Sequence, residues 1–135
     1  MSKWEDLNIE VHIREILHEV EYYREHHFGK PFLTAYQIAI EFNRRFPDDA
    51  RELGFPVGGE GIGERNSLAQ YLAGQLSQRI SLGALRDIEG AFISNDNLLQ
   101  ISLNNGGETI ISSLTNTEYD LSMFRLRTDR RCNNA

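Results

Sequence analysis

The sequence predicts an α+β domain in which helices come first and a small antiparallel sheet follows. Two segments predict where helices begin: Thr34-Ala-Tyr-Gln37 and Ser67-Leu-Ala-Gln70. In each, a hydroxyl residue comes three places before a glutamine, and a helically spaced apolar run follows. In such a capping box the hydroxyl accepts a hydrogen bond from the third amide of the helix, and the glutamine reaches back to the cap amide. Beyond residue 87, strand-like segments alternate with turn residues, which places the sheet.

Length and composition indicate one globular domain over residues 1–128, followed by a disordered tail at 129–135. The chain has 135 residues, of which 40% are hydrophobic and 25% charged, so it can bury a core without metals or disulfides. Its single cysteine, Cys132, cannot form an internal disulfide, and no apolar run approaches the ~18 residues of a membrane span. We therefore expect a cytoplasmic protein with no membrane contact.

The charge distribution favours a protein partner over nucleic acid. The net charge is −6, whereas nucleic-acid-binding proteins usually carry a basic patch that neutralises phosphates. Residues 31–86 are the exception, because there the charges balance and every cation is an arginine, the side chain best suited to bidentate phosphate contacts. Nucleic-acid binding therefore stays open for this segment.

A long first helix is predicted over residues 5–28. Its main apolar row faces the core: Ile9, Ile13, Ile16, Val20 and Tyr23. A second row lies on the opposite side: Leu7, Val11, His18 and Tyr22. Since one domain core covers one helix face more easily than two, the second row predicts a homodimer interface. Gly29 and Pro31 end the helix.

Two further helices and a connecting turn follow. The second helix runs from Thr34 to Phe46, and a single turn from Pro47 ends at Gly54. The third helix covers residues 68–81, and its polar side carries no carboxylate. The predicted core combines residues from all parts of the chain: Ile13, Ile16, Val20, Ile38, Phe42, Leu72, Leu76, Ile80, Ile101 and Ile111.

Strand-like segments share β-branched or alternating apolar residues and are bounded by turn residues: 88–94, 98–103 and 109–114. The turn Asn95-Asp96-Asn97 predicts that the first two pair as a hairpin, and residues 104–107 form a second turn. Segment 119–127 is ambiguous, because its residue types suit a strand while the preceding Thr115–Glu118 is a third capping box. We favour a strand.

No motif indicates catalysis, and neither an enzyme nor a cofactor is expected. The glycine-rich stretch Gly58–Gly63 predicts a mobile loop, because a phosphate-binding loop requires a preceding strand, a following helix and, in the P-loop, a lysine. Glu15 and His18 have the spacing of a di-iron helix motif, but the chain has no second copy of it. We therefore expect no metal site.

The order of helices, extended pair and hairpin resembles the winged helix-turn-helix fold. Residues 29–42, 67–81 and the hairpin 88–103 carry this resemblance. It implies that helix 68–81 lies in the major groove of DNA and that the hairpin is the wing. The base-reading residues would be Gln70, Gln75 and Gln78, since glutamine can pair bidentately with adenine. The phosphate-binding residues would be Arg65 and Arg79, supported by Arg44 and Arg45.

Two departures from this pattern favour a protein partner. The connection between the last two helices is much longer than a tight turn, and the wing turn 95–97 has no cation for a phosphate contact. Winged-helix folds often bind proteins, and an acidic surface repels DNA. The favoured function is a non-catalytic, regulatory protein-interaction module. The alternative is a sequence-specific DNA-binding transcriptional regulator that uses helix 68–81.

Overall fold

The structure is a computed structural model that describes residues 2–58, 67–113 and 121–128. Its helices are α1 (Lys3–Asp6), α2 (Ile9–His18), α3 (Ala35–Arg45), α4 (Pro47–Leu53) and α5 (Leu68–Ser81). Its strands are β1 (Leu33–Thr34), β2 (Ile88–Ile93), β3 (Gln100–Asn105), β4 (Glu108–Ser113) and β5 (Leu121–Leu126). Helices precede small antiparallel sheets, as the sequence predicts for the α+β class.

The predicted caps fix the boundaries of α3, α4 and α5. The Thr34 hydroxyl accepts the amide of Gln37 at 3.2 Å, and the Gln37 side chain accepts the amide of Thr34 at 2.7 Å. The Ser67 hydroxyl accepts the amide of Gln70 at 3.0 Å at the start of α5. Helix α4 ends at Gly54, whose φ of 78° lies in the left-handed region. These local signals confirm the predicted limits of all three helices.

The prediction of one long helix over residues 5–28 is wrong. Asn8 has a φ of 53° and separates α1 from α2, and α2 ends at His18. Beyond that point the Lys30 ammonium donates to the carbonyl oxygens of His18 at 2.8 Å and of Val20 at 3.1 Å. These oxygens would accept backbone amides if the helix continued, so the lysine takes the place of the next turn.

The predicted dimer row therefore does not form one helix face. Leu7 precedes α2 and packs against the core, whereas Val11 and His18 lie exposed on α2. Tyr22 lies beyond the end of α2, with its ring centre 4.7 Å from the Lys30 ammonium. The four residues belong to three different parts of the backbone, so the helix face on which the dimer prediction was based is not formed.

The predicted hairpin over residues 88–103 is also wrong. Strand β2 pairs with β5, from Ile88 opposite Leu126 to Ile93 opposite Leu121, and the three-stranded sheet has the order β1-β5-β2. Strand β3 pairs instead with β4 around Gly106-Gly107, whose positive φ angles suit a two-residue hairpin turn. Strand β5 confirms the favoured interpretation of segment 119–127.

The core lies between the helices and one face of the three-stranded sheet. Phe124 of β5 and Ile88 of β2 are buried there beside side chains from α2, α3 and α5. Gly90 allows the close approach of β5, because a Cβ atom at this position would lie 3.3 Å from the Phe124 ring. Six of the predicted core residues are fully buried: Ile13, Ile16, Ile38, Phe42, Leu72 and Leu76. The other four are half-buried: Val20, Ile80, Ile101 and Ile111.

Several predictions fall on residues that lie outside the described ranges. These are the glycine-rich loop from residue 59, Arg65, the capping box 115–118 and the tail 129–135. None of the described helices has the length and apolar character needed to cross a bilayer.

Candidate interaction surfaces

Arg125 of β5 joins the sheet to the segment between α2 and β1. Its guanidinium donates to the carbonyl oxygens of Phe28 at 2.6 Å and of Lys30 at 3.0 Å. It also donates to both carboxylate oxygens of Glu89 at 3.1 Å, and it lies 4.3 Å from the centre of the Phe32 ring. All these contacts come from the sheet face opposite the core, so one side chain fixes the path of residues 28–32 across that face.

A groove of about 840 Å³ lies beside Arg125. We call it the aromatic groove and define it by Tyr23, His26, His27, Phe28, Phe32 and Arg125. The rings of His26 and His27 stack with centres 4.5 Å apart, and the Phe28 ring stands edge-on to both. Tyr23 is 75% exposed and Phe28 is 70% exposed. Large rings are seldom left so exposed together unless they contact a partner.

The charges lining the aromatic groove are mainly positive. Among the described residues, Lys30, Arg125 and Arg127 line it together with a single carboxylate, Glu89. The ammonium of Lys30 is partly desolvated, and burial lowers its pKa, with a further contribution from Arg24. The groove therefore differs in sign from the chain as a whole, and it combines apolar ring faces with cationic hydrogen-bond donors.

The exposed face of α5 is the second surface, and it contains part of the predicted base-reading set. Gln70 and Gln78 are exposed, as is Gly74 between them. Gln75 is half-buried, and its side-chain oxygen accepts a hydrogen bond from Arg79. The structure thus leaves two of the three predicted glutamines available on an open, uncharged helix face.

The predicted phosphate-binding arginines that the structure describes are already engaged within the chain. The Arg79 guanidinium lies 4.3 Å from the centre of the Trp4 ring. Arg44 and Arg45 both donate to the Glu41 carboxylate, at 2.6 and 2.9 Å, and Arg44 contributes most to lowering the pKa of that carboxyl. A phosphate group at these positions would compete with existing contacts.

His12 contacts side chains of neighbouring elements. His12 of α2 lies 2.7 Å from the Asp49 carboxylate of α4 and stacks on Phe46 with ring centres 3.8 Å apart. This contact joins two helices. Among residues 2–58, 67–113 and 121–128, no three histidine, cysteine, aspartate or glutamate side chains are grouped for a metal ion.

Sequence reasoning missed the aromatic groove because its residues were assigned to other elements. Tyr23 belongs to the main apolar row of the predicted first helix, and that row predicts burial rather than exposure. Arg125 lay in the ambiguous segment 119–127. The run of aromatic and histidine residues from 22 to 28 was the available signal, because its density exceeds what a single helix stripe needs.

The chain matches no protein-family model, and neither the curated proteins nor the solved structures include a significant match.

Proposed function

We propose that the chain is a non-catalytic, regulatory protein-interaction module that binds its partner through the aromatic groove. The observation that carries this proposal is the pair of exposed rings, Tyr23 and Phe28, held beside a guanidinium with five contacts of its own. Aromatic and arginine side chains dominate the binding energy of protein interfaces, because they desolvate large areas at little cost in conformational freedom.

The charge and ring content of the groove select the chemistry of the partner. The described part of its lining has three cations and one carboxylate, which favours a segment that carries an acidic residue next to an apolar or aromatic side chain. The ring would stack on Phe28 or Tyr23, and the carboxylate would approach Arg127, which is 57% exposed. Regulation would then follow from competition for, or modification of, that acidic segment.

The test is affinity capture from native extract with three immobilised proteins. The groove variant combines Tyr23→Ser with Phe28→Ser, and the control is Leu82→Ser, which removes an apolar side chain of equal exposure from a site outside the groove. We expect a protein that the wild type and the control retain and the groove variant loses. The purified partner should then bind the groove variant at least about tenfold more weakly. Equal capture by all three proteins contradicts the proposal.

A second candidate function is duplex DNA binding through α5. Its support is the exposed helix face without carboxylates, together with an element order of α2, β1, α3, α5 and strands that agrees with the winged-helix resemblance. In this candidate the β3–β4 hairpin, rather than residues 88–103, would be the wing. Two of the three described arginines expected to contact phosphate are bonded to Glu41, which makes this the weaker candidate.

Fluorescence anisotropy with mixed-sequence duplex DNA, at low and moderate salt, tests this candidate. Arg79→Ala is a poor variant because it also removes the contact with Trp4. Gln78→Glu places a negative charge on the α5 face instead, and Val11→Glu adds the same charge to the exposed side of α2 as a control. DNA binding by α5 predicts salt-sensitive affinity that only Gln78→Glu reduces. Absence of binding at low salt counts against it.

A further inference from the structure

Arg127 presents oriented hydrogen-bond donors to the aromatic groove. Its backbone amide donates to the Asp87 carbonyl oxygen at 2.8 Å, and its Nε donates to the Arg86 carbonyl oxygen at 3.0 Å. Among the described residues, neither terminal nitrogen of Arg127 has a hydrogen-bond partner, and Nη1 lies 3.9 Å from Glu89 Oε2. The guanidinium is therefore held at its base while its end can bond an anion that accepts two hydrogen bonds.

Positive charge is in excess in the described lining of the groove. The Glu89 carboxylate is bonded to Arg125, with each of its oxygens 3.1 Å from Nη2, so these two residues compensate each other. The Lys30 ammonium donates to carbonyl oxygens, which leaves its charge uncompensated, and Arg127 adds a second charge. A carboxylate balances one of these charges, whereas a phosphate monoester carries about 1.5 to 2 negative charges at neutral pH. A phosphate therefore complements the groove better.

The exposed rings of the groove are linked to these charges through direct contacts. Arg125 donates to the Phe28 carbonyl oxygen on one side and to Glu89 on the other. Glu89 in turn lies beside the open end of Arg127. Tyr23 and Phe28, the exposed rings, line the same groove as Arg127. A ligand that contacts both the rings and the open guanidinium needs a ring and an acidic group close together.

We propose that the partner presents a phosphotyrosine side chain to the aromatic groove. This inference rests on the proposed function and specifies its ligand. The phosphate accepts hydrogen bonds from the terminal nitrogens of Arg127, and the phenyl ring packs against Phe28 and Tyr23. Phosphotyrosine carries its phosphate on the ring itself, so one side chain supplies both features. Phosphoserine has the charge without the ring, and unmodified tyrosine has the ring without the charge.

Titration of the full chain with capped glycine peptides, followed by amide chemical shifts, tests the ligand. The peptides carry a central phosphotyrosine, tyrosine or phosphoserine. We expect saturable shifts in residues 23–32 and 125–128, and an affinity for the phosphotyrosine peptide at least about tenfold above that for the other two. Equal affinities for the three peptides, or shifts confined to other parts of the chain, overturn the proposal. A nucleoside monophosphate that binds as tightly as the phosphotyrosine peptide also overturns it.

Arg127→Gln and Arg86→Gln are a matched pair that tests the phosphate contact. Each removes one exposed positive charge at the same end of the sheet, and of the two residues only Arg127 lines the groove. Arg127→Gln should weaken phosphotyrosine binding at least about tenfold, and Arg86→Gln less than about twofold. Arg127→Lys should recover little, because an ammonium cannot bond two phosphate oxygens in the geometry of a guanidinium. Equal losses from Arg127→Gln and Arg86→Gln contradict the proposal.

Treatment of the native extract with a tyrosine-specific phosphatase separates this inference from the proposed function. The wild type should no longer capture its partner from the treated extract. If the phosphatase leaves capture undiminished while Tyr23→Ser with Phe28→Ser still abolishes it, phosphotyrosine is wrong and the groove remains the binding site. If neither treatment nor variant changes capture, the proposed function is wrong, and the peptide titration decides whether the groove binds phosphotyrosine.

Discussion

The apolar row of α2 continues in the sequence of the segment that follows it, residues 19–30. The row is buried in α2, whereas its last member, Tyr23, is exposed. Ile9, Ile13 and Ile16 of α2 are at most 1% exposed, whereas Tyr23 is 75% exposed and helical structure has already ended. A helix of this length gains most of its stability from packing an apolar face. The comparison teaches that helical spacing predicts a helix only as far as the core extends beneath it.

The two regions also satisfy their backbone carbonyl groups in different ways. Within α2 the carbonyl oxygens accept amides along the helix, as in any helix of this kind. After His18, side-chain cations supply the donors: Lys30 bonds the oxygens of His18 and Val20, and Arg125 bonds those of Phe28 and Lys30. Residues 19–30 therefore hold their path through two side chains and isolated turns, such as the His26 amide donating to the Tyr23 carbonyl oxygen at 3.0 Å, rather than through a regular ladder.

The largest expected difference between the two regions comes from equal truncations. Phe42→Ala removes a fully buried ring from α3, beneath α2, and should lower the free energy of unfolding by about 3–5 kcal/mol. Phe28→Ala removes a ring that is 70% exposed and should change it by less than about 0.5 kcal/mol. Urea denaturation of both variants gives the comparison. Similar losses for the two would mean that segment 19–30 is packed as tightly as α2.

Arg125→Ala should have the next largest effect, about 2 kcal/mol, because it leaves Glu89 and two carbonyl oxygens without their donor. Arg125→Lys should recover little, since an ammonium cannot bond the carboxylate and both oxygens in the same geometry. Hydrogen exchange should locate the loss in residues 22–32 and the adjoining strands. Protection lost equally throughout α2 would show that the two regions unfold together.

Lys30→Met should cost about 1 kcal/mol, because it removes the two bonds at the end of α2 while keeping the apolar stem. Hydrogen exchange should show faster opening of the last turn of α2 and no change near Ile9. The matched control is Lys3→Met, whose ammonium lies 3.7 Å from the exposed Glu52 carboxylate. If the two substitutions lower stability equally, Lys30 has no special role in holding the end of α2.

The smallest effect concerns acid stability at the junction of the two regions. Hydrogen bonds from Arg44 and then Arg45 lower the pKa of Glu41 below its ordinary 4.5, and Arg45 also bonds Glu19 at the end of α2. A lowered carboxyl pKa stabilises the fold above its unfolded value, and this contribution is lost as pH falls through the folded value. Between pH of about 5 and 3, Glu41→Gln should therefore lose less stability than the wild type, by under about 1 kcal/mol.

Asp48→Asn is the control for this measurement, because its side chain is 91% exposed. It should leave the acid limb of the stability curve as in the wild type. The pKa of Asp87, which Arg14 lowers, contributes to the same limb in both variants and cancels in the comparison. If Glu41→Gln loses as much stability at low pH as the wild type, this carboxylate does not contribute to the pH dependence of stability.

The parts of the fold that could be predicted from sequence are those set by residues within one turn of each other. The Thr34 and Ser67 caps and the glycine after α4 act within one turn of the chain, so the limits of three helices followed directly. The pairing of β2 with β5 and the bonds from Arg125 to Phe28 and Lys30 join distant parts of the chain, the latter across 97 and 95 positions. No local pattern encodes such contacts, so the aromatic residues from 22 to 28 are visible in the sequence but their position beside Arg125 is not.

The pairing of Ile93 with Leu121 sets the register of β2 and β5 without help from the stretch between them. The ladder between β2 and β5 holds Ile93 beside Leu121, and among the described strands β3 and β4 pair with each other. Insertions or deletions between them therefore leave the three-stranded sheet joined at the same point. Replacing this stretch by a two-residue turn should therefore keep the register of the three-stranded sheet and lose the contacts between β3 and α3.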